Sequence, residues 1–256
     1  MSLRRLASIL WLCAGSLLAQ PSHFVFAVVA DPQVGWKVET SDRDQFARVA
    51  AALNALRGES RPAFVLFAGD LFNDEKSETQ VSAVETIRKS LAFPQYSVPG
   101  NHDPNPAETP GTFAFVHQEC LFLGLDSNVW TGKNAGAAEK QFSWLEAQLR
   151  QRDKYRLVFI LQHYPLYLHD SDEKDDYYNT PLAWRSRLLK LYESARITAC
   201  IAGHLHKNST GSHRGISLLV TPSALFNNDS IPPGFRLIEV NSAGFAETYV
   251  PVVAEP

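Results

Sequence analysis

The chain has 256 residues, 45% of them hydrophobic, and a formal net charge of −3. That length and apolar content suffice for one domain with a full core. The slightly acidic balance and the lack of any long Lys/Arg run exclude an extended footprint on nucleic-acid phosphates, which needs a basic stripe.

In chain order, residues 1–19 form the pattern of an export signal. Arg4 and Arg5 precede an apolar segment from Leu6 to Leu18, with cleavage expected after Ala19. The segment falls short of the roughly 20 apolar residues of a membrane anchor, so no stable membrane insertion is expected after cleavage. Residues 20–256 are then a single periplasmic or extracellular domain. Its cysteines, Cys120 and Cys200, sit in apolar runs where a thiol behaves as a small core residue, and no disulfide framework is expected.

The mature part alternates apolar, β-rich runs with segments of helical period: "HFVFAVVA", "DRDQFARVAAALNALRG", "AFVLFAGD", "SETQVSAVETIRKSL" and "QYSVPGN". This is a βαβ rhythm. In the first helix Phe46, Val49, Leu53 and Leu56 form one stripe, and Gly58 is the expected stop. "CLFLGLDS", a helix over "AEKQFSWLEAQLRQRD" and the strand "RLVFILQH" follow. From Ile197 onward short strands take over.

Ligand-type side chains cluster at the strand ends, where the loops of an α/β sheet converge on one rim. Asp31 follows "FVFAVVA", Asp70 follows "FVLFAG", His163 follows "RLVFILQ", and His204 and His206 follow "ITACIAG". Asn101, His102 and Asp103 follow "QYSVPG". Gly69, Gly100 and Gly203 precede three of these groups, letting backbone turn sharply and approach an ion. Each piece alone reads as a turn or a core histidine. Together they make a mixed oxygen and nitrogen set suited to a pair of divalent metals.

The ordered series "ADPQ", "AGDLFND", "PGNHD", "LQHYP" and "AGHLH" resembles the calcineurin-like metallophosphoesterases across essentially the whole mature chain. Within that superfamily, "ADPQ" and "QHYPLYLHDSDEKDDYYN" are most similar to the calcineurin-like phosphoesterase domain-containing protein 1 (complete S-transactivated protein 1) group. The resemblance implies an α/β fold in four layers, α-β-β-α. It implies that Asp70 bridges two metals, with Asp31 and His206 on the first and Asn101, His163 and His204 on the second. His102 would stand beside the leaving group, oriented by Asp103. The implied enzyme is a hydrolase that attacks phosphomonoesters, including phosphoserine and phosphothreonine proteins, with hydroxide generated by the metal pair. A phosphodiesterase of small nucleotides and a non-catalytic binding module are the alternatives.

Gln33 stands where the superfamily usually has a histidine. Gln33 reads as a weak direct ligand or as a contact of a metal-bound water, and because an amide oxygen is harder and weaker than imidazole, the first site is expected to shift toward manganese or magnesium within the wider set of manganese, iron, zinc and magnesium. The acidic loop "HDSDEKDDYYN" reads either as a solvated loop or as a lid whose Tyr177 and Tyr178 line the substrate groove and whose carboxylates select cationic surroundings of the phosphate. Trp36 reads as a substrate-stacking or a core residue, and Asn73 as a partner that orients Asp70. Asn208 and Asn228 match the glycosylation pattern.

Overall fold

The computed structural model describes residues 23–103, 111–132 and 135–253; the expected export signal lies outside them. Among the described residues, eleven strands and five α-helices follow in the order β1 (Phe24–Val29), α1 (Glu39–Ala55), β2 (Pro62–Phe67), α2 (Glu78–Lys89), β3 (Gln95–Ser97), β4 (Phe113–His117), β5 (Cys120–Gly124), α3 (Asn128–Thr131), α4 (Ala135–Leu149), β6 (Leu157–Leu161), α5 (Leu182–Ala195), β7 (Ala199–Ala202), β8 (Ser209–His213), β9 (Ile216–Val220), β10 (Gly234–Asn241) and β11 (Gly244–Pro251).

The strands form two sheets, of order β11-β10-β1-β2-β3 and β4-β5-β6-β7-β9-β8. β1 is buried along its whole length, as a central strand covered on both faces must be. Its even-numbered residues Phe24, Phe26 and Val28 face the other sheet, while Ala27 and Val29 pack under α1 and α2. The second sheet packs its outer face against α3, α4 and α5 through Leu121, Leu145, Ile160 and Leu188. Four layers result, α-β-β-α. Phenylalanines dominate the layer between the sheets: the Phe26 ring lies 5.2 Å from Phe122 and 5.3 Å from both Phe64 and Phe159. Such pairs add about 0.5–1.5 kcal/mol each beyond the area they bury.

Three details differ from the sequence reading. α1 leaves helical backbone at Leu56, which turns extended, so Gly58 lies beyond the stop. α5 is an unanticipated helix, and it buries Leu188, Leu189 and Tyr192. The edge strands β4 and β8 were also not anticipated: β8, STGSH, carries no apolar signal, and β4, FAFVH, is a short apolar run only half buried at the sheet edge. Cys120 and Cys200 are both free and buried. Among the described residues no helix is long and apolar enough to cross a membrane.

The parallel strands decide where the site lies. β1, β2 and β3 run parallel in one sheet and β6, β7 and β9 in the other, so their C-terminal ends open onto a common rim.

Candidate metal centre

At that rim the strands end abruptly. Asp31, Gln33, Asp70, His204 and His206 all have positive φ, a left-handed conformation that swings each side chain out of its strand line toward the centre. The glycines beside them are needed for close approach. A Cβ on Gly203 would stand 2.6 Å from Asp31 Oδ2, and one on Gly100 would collide with the carboxylate and backbone nitrogen of Asp70. Gly69 itself has φ +89°, and a Cβ there would meet His163 Nδ1 at 2.6 Å.

Four histidines are oriented in the same way, each with one ring nitrogen on a backbone carbonyl. Nδ1 of His163 donates to Ala68 (2.8 Å), Nε2 of His204 to Tyr177 (3.0 Å), Nδ1 of His206 to Phe226 (3.1 Å) and Nδ1 of His102 to Asn73 (2.9 Å). This is how metal-binding imidazoles are held, because the bound carbonyl selects the tautomer and aims the other nitrogen. Burial holds His204 at about 3 and His206 at about 4, so both rings are neutral and offer a lone pair.

The free nitrogens converge. His163 Nε2 lies 3.2 Å from His204 Nδ1, 3.1 Å from Asn101 Oδ1 and 3.3 Å from Asp70 Oδ2. Burial opposes a charge on His163, but Asp70 and Asp31 override it and push the ring up to about 10. Burial likewise opposes ionisation of Asp70, yet His163 holds its carboxyl at about 2. The field therefore demands a positive charge at this spot, where one proton serves three acceptors. A divalent cation fits the same place with all four groups turned toward it, and ligand atoms of Asp70, His163 and His204 lie within 4.8 Å of one another.

Beside this cluster Asp31 Oδ1 stands 3.6 Å from His206 Nε2. Asp31 is fully buried, and burial raises its carboxyl well above the usual range, the nearby His163 only partly offsetting it. Oε1 of Gln33 is buried and has no hydrogen-bond partner. A buried acceptor without a donor is costly in a folded chain, and Gln33 lines the same cavity as Asp70 and His206, where a cation would offer it a partner. The residues present thus suit a cation held by Asp70, His163 and His204 with Asn101 beside them, and the Asp31–His206 pair sets further donors next to it.

Gln33, Trp36, Asp70, His102, Tyr177, Tyr178, His204, His206, Phe226 and Asn228 line a cavity of about 240 Å³ above these groups. Trp36 is 44% exposed and edge-on to His102 at 5.8 Å, which excludes the core-packing reading. Tyr177 does more than line the groove, since its hydroxyl meets Asn101 Nδ2 at 3.2 Å. The acidic loop is not simply solvated: Glu173 accepts from the backbone of Leu168 and His169 and from Asn179, while Asp175 and Asp176 accept from Leu182 and Tyr178 N–H groups. Those three carboxylates organise the loop instead of facing substrate. Asn228 reaches the Leu205 carbonyl at 3.3 Å, and Asn208 Oδ1 takes a hydrogen bond from Arg236.

Two expected roles are corrected. Asp103 does not orient His102; its carboxylate accepts from Leu71 N (2.8 Å) and Gly100 N (2.9 Å), tying two strand-end loops together. The Asn73 carbonyl holds His102 in its place, and the Asn73 side chain makes no hydrogen bond to Asp70, its Oδ1 being buried without a partner. The physical reason is geometric: the peptide turn after Gly100 sends adjacent side chains in different directions.

The profile of the calcineurin-like phosphoesterase family matches residues 24–208. The chain is 28% identical over 264 residues to the serine/threonine-protein phosphatase CPPED1 of Danio rerio, covering 88% of this chain and 84% of that protein. It is 28% identical over 224 residues to the 3',5'-cyclic adenosine monophosphate phosphodiesterase CpdA of Escherichia coli K12, covering 80% of each. A dimetal phosphatase from Danio rerio shares the fold, with a TM-score of 0.67, 14% identity and coverage of 90% of this chain and 99% of that one.

Proposed function

This chain belongs to the calcineurin-like phosphoesterase family and is a metallophosphoesterase, and from that premise we propose that it hydrolyses phosphomonoesters, phosphoserine and phosphothreonine of proteins among them. The observation that carries the reading is the free Nε2 of His102 at the wall of a cavity floored by convergent oxygen and nitrogen donors. The names of the vertebrate relatives, serine/threonine-protein phosphatases matched over 88% of this chain, support the monoester class.

The family implies a dinuclear divalent metal centre. Asp31, His206 and Gln33 would hold one ion, Asn101, His163 and His204 the other, and Asp70 both. Such a pair supplies a nucleophile from water near neutral pH and neutralises charge on the phosphoryl oxygens. Manganese is the proposed occupant, because the Gln33 amide oxygen replaces a softer nitrogen.

The protein's own groups do the rest. His102, fixed by the Asn73 carbonyl, presents Nε2 to the departing oxygen and gives it a proton. Tyr177 keeps the Asn101 amide turned so that Oδ1 points inward. Trp36, Phe226 and Tyr178 form the walls against which the rest of the substrate lies. The N-terminal Arg-plus-apolar pattern supports action outside the cytoplasm.

Metal content and hydrolysis of p-nitrophenyl phosphate and its bis-ester under manganese, zinc or magnesium test the reading together. Two ions per chain and faster monoester turnover with manganese are expected. A faster bis-ester moves the assignment to a diesterase, and no turnover under any supplement sinks it.

A further inference from the structure

Two strands of the second sheet carry no ligand yet flank the strands that do: β5 lies beside β6, and β9 beside β7. The turn after each holds a fully buried serine, Ser127 after β5 and Ser223 after β9. We propose that these serines are positioning residues, each serving one half of the metal centre: Ser223 the Asp31–His206 half, and Ser127 the His163–Asn101 half. The inference rests on the dinuclear reading above.

Ser223 Oγ donates to the Asp31 carbonyl at 2.7 Å and accepts from the N–H groups of Leu225 (2.9 Å) and Phe226 (3.2 Å). The Phe226 carbonyl in turn receives Nδ1 of His206. One oxygen atom therefore joins the backbone of Asp31 to Phe226, the residue whose carbonyl selects the His206 tautomer. Both of these residues have positive φ, 49° and 47°, a conformation that neighbours must hold. The same segment grips the pair again through Ala224 N to the Ala30 carbonyl and Asn228 N to the His206 carbonyl.

Ser127 does the corresponding work on the other side. Its Oγ accepts from His163 N (3.1 Å) and Tyr164 N (3.0 Å), fixing the turn on which the His163 ring is mounted. The next side chain, Asn128, donates to the Gly100 carbonyl at 3.0 Å, immediately before Asn101. Gln141 clamps Asp126, the residue before Ser127, by both its N–H and its carbonyl. Removing either hydroxyl leaves two N–H groups without their acceptor, both buried at Ser127 and one buried and one partly buried at Ser223, so the turn shifts to satisfy them and carries its ligands with it.

A purely structural serine would weaken the fold and both metal sites alike, whereas a positioning serine weakens its own. The test titrates the metal-free full chain with manganese(II), following the free ion by its EPR signal, for the unsubstituted protein, Ser127→Ala, Ser223→Ala, and each combined with His206→Ala. The unsubstituted chain should bind two ions. Ser223→Ala should weaken one site by about 10- to 100-fold and add little in the His206→Ala background, while Ser127→Ala should weaken the ion that background retains. Thermal melting of each metal-free variant runs alongside; if Ser223→Ala is insoluble, Ser223→Cys, of similar shape and weaker hydrogen bonding, should show the same asymmetry. Two ions on the unsubstituted chain with equal losses at both sites, or with none, overturns the inference alone. Fewer than two ions there overturns it together with the dinuclear reading.

Discussion

Gln33 and His102 are the residues whose chemistry the site makes specific. Gln33 is held by its own backbone, with N–H on the Asp70 carbonyl at 2.9 Å, while its Oε1 stays buried and unpartnered. Replacing it with alanine should remove that acceptor and lower manganese affinity at one site by about 10-fold, a change of the size seen when groups around a metal are lost; equal manganese and zinc affinities in the two proteins would rule out a part for Gln33. His102 has no place in the ligand cluster of Asp70, His163 and His204, and its ring is anchored separately to Asn73. His102→Ala should therefore keep both ions and lose about 10²- to 10⁴-fold in turnover of esters with poor leaving groups, far less for nitrophenyl esters. Unchanged turnover of an alkyl phosphate would remove His102 from the chemistry.

At the scale of elements, Glu173 takes the most hydrogen bonds of the three carboxylates that organise the loop after β6. Burial works against ionisation of Glu173, but the N–H groups of Leu168, His169 and Asp170 and the Asn179 amide hold it at about 2. Arg185, fully buried on α5, lies 3.7 Å away. Because the folded pKa is depressed, the stabilisation is present above the ordinary value of 4.5 and is lost as pH falls from there toward 2. Proteolysis within residues 168–180 should accelerate across that window, and Glu173→Gln should show the acid susceptibility already at neutral pH. A pH-independent cleavage rate would mean that the loop is held by other contacts. The Tyr177 and Tyr178 rings ride on this loop, so its loosening should also raise KM.

On the scale of the whole molecule, the proposed ligands come from both sheets: Asp31, Asp70 and Asn101 from the ends of β1, β2 and β3, His163 and the His204–His206 pair from β6 and β7. A cation pair held by the proposed ligands would tie the two sheet edges together. Binding to the folded state alone stabilises by about 2.7 kcal/mol at a hundredfold excess over Kd. Chelation should then lower the melting temperature by roughly 5 °C or more, reversed by manganese. A melting curve indifferent to chelator would place no ion across the sheets.

The convergence of ligand-type side chains was legible from sequence alone, because an apolar run that ends in Asp, Asn or His marks a buried strand with a polar tip, and parallel strands bring such tips to one rim. Asp31, Asp70, Asn101, His163, His204 and His206 meet there as that logic requires. Long-range hydrogen bonds were not legible. His204 N reaches Asp31 across 173 positions and Ser223 reaches it across 192, and nothing in the local pattern of either segment encodes the other. Sequence periodicity reports which residues are buried; which carbonyl takes which ring nitrogen, why Asn73 and not Asp103 holds His102, and why two serines stand behind the ligands are decided only when separate strands pack side by side.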